Sequence, residues 1–382
     1  MTRISLISPL DIKYSYKGTE YHVYEYAKCL VENGIDAELL ITGASGYHPS
    51  IKNYKRISAE YSMIPHRKIP CSEILLPFKW HHFMCRNLPK ESIIYLPFGP
   101  YQYLFNIATK PRGQKYIIGC LAMELKFGNL IEGNDALEII AKVAIRIALS
   151  KGADTRNYYF HAINKAQVEY LVGLGVKKDR INYVPLMLDT SKYHISNNKA
   201  RKLRVIHVGG TGKASAMVAQ VIEALSEESQ MDKFEFYFMW SNQPEEVRKC
   251  AATYENVHLL GSPSEERKAK ILSAMDVMII PSTEAFSKTM LEGIASGLHI
   301  VVSKRNPASL DVRALGVNMT ITERSEPSEY IEELVKLANL KIKLGSKFNK
   351  SKRRYREIVV ENFDRIQVLP KIFEMFMKIM NE

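Results

Sequence analysis

Two series of alternating strand and helix signals, parted by one polar stretch, limit what this chain can fold into. The first opens with the apolar run "ISLISPL" (residues 4–10). After a polar stretch and Gly18 comes "TEYHVYEYAKCLVENG" (19–34), with Val23, Ala27, Leu30 and Val31 at i, i+4, i+7 and i+8. That spacing predicts an amphipathic helix stopped by Asn33-Gly34, and "DAELLIT" (36–42) supplies the next strand. Further strands are expected at 92–98, 115–121 and 157–163, and an apolar helix at 136–152. Asn164 reads as the N-cap of a helix in "KAQVEYLVGLG", with a further strand at 180–186. The stretch 192–202, "KYHISNNKARK", has almost no aliphatic side chains and reads as a linker. A second series follows, with strands expected at 203–210, 233–240, 256–261, 276–282 and 299–303. Helices fall at 215–227, 264–275, 288–297 and 327–340. A long helical region from about residue 347 to 380 is expected to break near Asn362-Phe363 and at Pro370. Strand–helix–strand units build parallel sheets, so the expected class is α/β with two doubly wound domains. Such sheets bind ligands in the loops beyond the carboxyl ends of their strands. Four segments therefore deserve inspection: Gly18, the residues after Leu121, the turn 209–214, and 281–297.

Composition agrees with this plan. A chain of 382 residues is too long for one ordinary core and suits two domains. No run approaches the roughly 20 apolar residues of a membrane span, and the first residues lack a long apolar segment, so no signal peptide and a cytoplasmic location are expected. The five cysteines are scattered without CxxC spacing, which suits free thiols. The net charge of +12 favours anionic partners. The densest basic run, 341–357, reads as a solvated helix face or as a patch for anionic membrane; no nucleic-acid-binding motif is present. The aromatic segment "FKWHHFMCRNL" (78–88) reads as a half-buried core helix or an interfacial one. The histidines show no metal-ligand spacing, so no metal is expected.

The segment "PSTEAFSKTMLEGIASG" (281–297) runs from the end of a strand into a helix, with Glu284 and Glu292 on either side of the turn. A helix N-terminus offers unpaired N–H groups and partial positive charge, which suits a phosphate. Two carboxylates flanking it can accept hydrogen bonds from hydroxyls on both sides of a diphosphate, and Lys288 adds positive charge between them. The same letters admit plainer readings. Thr289-Met-Leu-Glu292 matches a capping box, and Glu284 can be a solvated turn residue.

The wider segment 256–304 resembles the C-terminal half of retaining GT-B glycosyltransferases of the family 4 type (glycosyl transferases group 1). Gly261, Asp276, Pro281-Ser282, Glu284, Phe286, Glu292, Ala295 and Gly297 stand in that family's order. Residues 17–42 are similar to its donor loop and first helix, and 160–189 to its segment ahead of the linker. The resemblance implies a GT-B fold: two Rossmann-like domains facing each other across a cleft. The N-terminal acceptor-side domain would span 1–195 and the donor domain 203–360. A C-terminal helix, 361–382, is expected to cross back onto the first domain. It also implies transfer of a sugar from a UDP- or GDP-sugar to a hydroxyl of a glycan, polysaccharide precursor or lipid-linked saccharide. Glu284 would meet the donor sugar, Glu292 the ribose, and the backbone at Phe286, Ser287, Lys288 and Thr289 the diphosphate or sugar. Gly18 would let its loop approach the diphosphate without a Cβ in the way. Cationic side chains would neutralise the leaving group, with no metal or other cofactor. A peripheral contact with the inner membrane face is the expected partner surface beyond donor and acceptor.

Three departures from the family pattern matter. Gly210 stands where the family has a phosphate-binding Arg, which leaves Lys213 as the candidate phosphate lysine. The donor loop reads Lys17-Gly18 rather than two glycines. No histidine ends the strand before "CLAMELKF" (120–127), so Glu124 is the candidate acceptor-side group. These departures keep two alternatives open: a nucleotide-sugar epimerase of GT-B-like fold, and a non-catalytic nucleotide- or carbohydrate-binding subunit.

Overall fold

The computed structural model describes residues 2–8, 19–41, 54–56, 91–97, 114–119, 157–173, 175–196, 200–209, 213–240, 242–281, 288–324, 326–345, 348 and 352–382. The helix expected at 136–152 and the segment 78–88 lie outside them. The chain forms two compact units. The first comprises Met1–Leu186 with Val368–Glu382, and the second Met187–Gln367.

The first unit holds β1 (Ile4–Ser8), α1 (Thr19–Glu32), β2 (Ala37–Ile41), β3 (Tyr54–Arg56), β4 (Ile93–Leu96), β5 (Lys115–Gly119), β6 (Tyr158–Ala162), α2 (Lys165–Gly173) and β7 (Ile181–Tyr183). Among the described residues, its seven strands run parallel in the order β3-β2-β1-β4-β5-β6-β7. The strands at its centre are nearly continuous apolar runs because helices cover both faces of such a sheet; every residue of β4 and β6 is buried. Asn164 caps α2 as its sequence position foretells, accepting from the Gln167 N–H at 2.8 Å, while Gln167 reaches back to the Ile163 N–H.

In the second unit β8 (Leu203–Val208), α3 (Lys213–Glu227), β9 (Phe234–Met239), α4 (Glu245–Thr253), β10 (Val257–Leu259) and α5 (Glu265–Ser273) come first. Then follow β11 (Val277–Ile280), α6 (Lys288–Ala295), β12 (His299–Ser303), α7 (Pro307–Ala314), β13 (Thr320–Thr322), α8 (Pro327–Leu344) and α9 (Lys352–Phe363). Its six parallel strands lie in the order β10-β9-β8-β11-β12-β13. The order reverses direction between β8 and β11, so the loops after these two strands flank the switch point where doubly wound sheets take ligands.

The division between the units falls before the stretch expected as the linker. Leu188, Thr190 and Tyr193 are buried in the second unit. The Leu188 N–H donates to Phe363 O at 2.7 Å, and the Arg365 N–H to Leu188 O at 2.9 Å. Thr190 is held by the Asp364 carboxylate. Polarity marked 192–202 as a linker, and these few contacts fix the residues just ahead of it to the second unit.

The last helix, α10 (Arg365–Asn381), starts in the second unit and ends in the first. It runs through Pro370 instead of breaking there. Val368 and Ile372, on either side, are fully buried, and that burial outweighs one missing backbone hydrogen bond. Phe376 packs on Tyr95 with ring centroids 5.8 Å apart. Lys115 Nζ donates to Ile379 O at 2.8 Å, and the Tyr159 hydroxyl to Glu382 at 2.8 Å.

Candidate functional site

The carboxyl edge of the second unit's sheet carries the candidate site. At the end of β8, Gly209 has φ +149°, a conformation that suits glycine. Its N–H donates to Met239 O at 3.1 Å, and its carbonyl accepts from Gln243 Nε2 at 3.1 Å. Two residues earlier, the buried His207 ties three elements together. Ile279 O, 3.1 Å from Nδ1, can only accept, so Nδ1 carries the proton and Nε2 accepts from the Ser215 hydroxyl at 3.1 Å. Burial lowers the imidazole's pKa and keeps it neutral. A neutral ring thus links β8, β11 and the first turn of α3 beside Gly209.

Across the switch point, α6 is pressed against the sheet. A Cβ on Gly293 would stand 2.9 Å from Met278 Sδ and 3.1 Å from Ile300 Cδ1, so glycine permits the approach. Gly297, with φ +81°, ends the helix where a Cβ would meet Ile195 and Lys352 at 3.0–3.2 Å. This packing carries Glu292 into the interior, where it is 2% exposed. One of its oxygens gathers three partners. Oε1 accepts from the Tyr193 hydroxyl at 2.9 Å and from Lys268 Nζ at 2.8 Å, and Lys288 Nζ lies 3.8 Å away. Lys268 also pairs with Glu265 at 2.8 Å. Among the described residues, no hydrogen bond is made by Oε2.

The charges of this cluster are mutually adjusted. Burial pushes the Glu292 carboxyl's pKa up, but Lys268, Lys288 and the two hydrogen bonds outweigh it, and the group stays below the usual carboxylate range. Burial likewise opposes charge on Lys268, yet Glu292 and Glu265 raise it above the ordinary lysine value. For Lys288 burial outweighs the attraction of Glu292, and its pKa is lowered. The arrangement can hold a fixed carboxylate oxygen toward hydroxyl donors, with the Lys288 ammonium 3.8 Å from the partner oxygen.

The capping-box reading of Thr289–Glu292 does not hold, because the Glu292 carboxylate bonds to Tyr193 and Lys268 rather than to the helix backbone. Of the site residues expected from sequence, Lys288, Thr289 and Glu292 share α6. Lys213 is the first residue of α3, on the far side of the switch point; its side chain lies outside the described residues, as do Gly18, Glu124, Gly210, Glu284, Phe286 and Ser287. Sequence reading passed over Tyr193 and Lys268. Tyr193 is an aromatic residue in the polar stretch 192–202, which was a usable signal. Lys268 sits in a highly charged helix, where nothing distinguishes it from solvated lysines. Asp276 lies at the other edge of the sheet, ahead of β11, where it binds Lys341 at 2.6 Å and the Arg204 N–H at 3.0 Å. Its part is to fix strand starts. Among the described residues no group of His, Cys, Asp and Glu is placed to hold a metal ion.

Residues 202–339 match the family model described as glycosyl transferases group 1. No curated protein sequence matches the chain. Solved structures do, over nearly the whole length. Sucrose-phosphate synthase from Thermosynechococcus elongatus is similar with a TM-score of 0.72 and 13% identity, covering 100% of both chains. Anabaena HepE in complex with UDP-glucose aligns with a TM-score of 0.70 and 16% identity, over 99% of this chain and 100% of that one. WaaG, a glycosyltransferase involved in lipopolysaccharide biosynthesis, gives a TM-score of 0.71 and 12% identity over 97% and 99%. The chain therefore has the two-domain GT-B fold, and residues 202–339 of its second unit are similar to the glycosyl transferases of group 1.

Proposed function

We propose that this protein is a retaining glycosyltransferase that moves a sugar from a nucleotide-diphosphate sugar to an acceptor hydroxyl. The observation that carries the reading is the β8/β11 switch point, with Lys288 and the immobilised Glu292 on α6 on one side and Gly209 at the end of β8 on the other. Glu292 Oε2 accepts from the ribose hydroxyls, while Tyr193 and Lys268 hold the carboxylate through Oε1. Lys288, on α6 with its ammonium 3.8 Å from Glu292, neutralises the diphosphate together with Lys213. Glu284 meets the hydroxyls of the donor sugar, and backbone groups at Phe286, Ser287 and Thr289 line the phosphates. The glycosidic bond to the leaving phosphate breaks as the acceptor oxygen attacks from the same face, and a phosphate oxygen takes the acceptor's proton. Charge developing on the diphosphate is the quantity the site must stabilise, and fixed cations do so without reorganising. The binding of UDP-glucose by HepE supports a uridine nucleotide as the first donor to test.

Thermal melting with UDP-, GDP- and ADP-sugars tests this reading. A ligand at 100 times its Kd stabilises the native state by about 2.7 kcal/mol. One nucleotide series is expected to raise Tm, and Glu292→Gln is expected to weaken that rise. The absence of a shift with every nucleotide sugar overturns the proposal. Conversion of a nucleotide sugar to its epimer without an acceptor would replace transfer by epimerisation.

A further inference from the structure

We propose that the end of α8 and the start of α9 form a docking surface for an anionic lipid bilayer. A surface helix ordinarily turns one apolar stripe toward the core and polar groups toward water. The last turn of α8 (Pro327–Leu344) does the reverse. Lys341 points inward, where it binds Asp276 at 2.6 Å and Lys202 O at 2.7 Å. Leu340, Ile342 and Leu344 are 42%, 58% and 38% exposed. Since 100° separates successive residues, these three lie on both flanks of the outward-facing Lys343. The helix end therefore presents three aliphatic side chains around one ammonium to solvent.

Charge identifies the occupant. Residues 334–356 contain no Asp or Glu, and residues 340–356 contain eight Lys and Arg. Lys341 and Lys352 are buried, and Arg356 donates to Tyr193 O at 3.2 Å. Lys343, Arg353 and Arg354 remain exposed. Lys341 pairs with Asp276 at 2.6 Å, and Lys352 at the start of α9 lies within electrostatic reach of the same carboxylate, so the two helix ends are neighbours. Aliphatic side chains among exposed cations match the boundary of an anionic bilayer: the hydrocarbon inserts below the headgroups and the cations meet the lipid phosphates. Asp276 precedes β11, so this surface lies at the amino edge of the sheet. Docking there leaves the carboxyl edge, with Lys288 and Glu292, open to a nucleotide.

The test is flotation of the full chain with vesicles of phosphatidylcholine alone or enriched in phosphatidylglycerol. The protein is expected to float with the anionic vesicles only. The variant Lys343→Gln/Arg353→Gln/Arg354→Gln is expected to lower partitioning on the order of 100-fold, at roughly fivefold per cation. Leu340→Ser/Ile342→Ser/Leu344→Ser is expected to lower it about tenfold or more. All six residues are exposed, and an unchanged Tm shows that each variant is folded. Flotation that survives both triple variants overturns the proposal, as does a wild-type chain that ignores anionic vesicles. Self-association of the wild type that is lost with the three serines, without vesicle binding, would assign the surface to a second copy and equally overturn it.

Discussion

Replacing Lys268 by Met removes one ammonium from the Glu292 cluster while keeping most of the aliphatic stem. In the native protein Lys268 Nζ lies 2.8 Å from both Glu292 Oε1 and Glu265 Oε2. The variant leaves Glu292 with the Tyr193 hydroxyl at 2.9 Å and the Lys288 ammonium at 3.8 Å. Breaking a buried pair from one side costs about 3–5 kcal/mol, because the stranded charge stays desolvated. The surviving Lys288 contact places the expected loss near the bottom of that range, about 3 kcal/mol. At roughly 2–4 °C per kcal/mol for a body of this size, Tm falls by roughly 6–12 °C. The pH dependence has a definite sign. Glu292 is held below the usual carboxylate range, so its ionised form adds stability above the unfolded pKa, lost as pH falls through the folded one. Without Lys268, burial raises the folded pKa. The variant's deficit is therefore largest near neutrality and shrinks on acidification, as the carboxyl takes up a proton. A double-mutant cycle with Glu292→Gln, melted near pH 7 and near pH 5, checks both points, with an expected coupling of about 1–3 kcal/mol at the higher pH. Additivity within about 0.5 kcal/mol at both pH values would refute the reasoning.

Two further outcomes follow from the first unit. The buried His161 accepts from the Tyr95 hydroxyl at 2.9 Å and donates to Val184 O at 2.8 Å, and burial lowers its pKa to about 4. The unfolded chain binds a proton near pH 6.5, so this site costs stability as pH drops from about 6.5 to 4, by about 3 kcal/mol in all. His161→Gln is expected to flatten that part of a pH–Tm profile, and an unchanged slope would count against the assignment. Gly119→Ala would set a Cβ 2.9 Å from Tyr95 Cζ and 3.2 Å from the Pro97 backbone. The ring must move off His161, and a loss of about 1–3 kcal/mol is expected in urea unfolding; wild-type stability would contradict it.

The sequence disclosed the strands most clearly where both faces are covered. "VMII" of β11 and "YYFHA" of β6 read as apolar runs because no solvent-facing position interrupts them. Asn164 was legible because its cap is local, three residues from its partner. The Glu292 cluster was only half legible. Its i,i+4 partner Lys288 could be read from spacing, but Lys268 and Tyr193 come from 24 and 99 residues away, and only the folded sheet brings them together. The boundary at Leu186 escaped notice for a similar reason. Composition describes the polarity of 192–202, not the hydrogen bonds that fasten Leu188 and Thr190 to residues near 364.

The path of α10 has a consequence for biosynthesis. Residues 368–382 belong to the first unit but leave the ribosome after all of residues 187–367. Until they arrive, Tyr95 lacks the Phe376 ring, and Lys115 and Tyr159 lack their acceptors at Ile379 and Glu382. The first half of the molecule to be translated is thus the last to be completed, and it must wait, partly uncovered, while its neighbour is made.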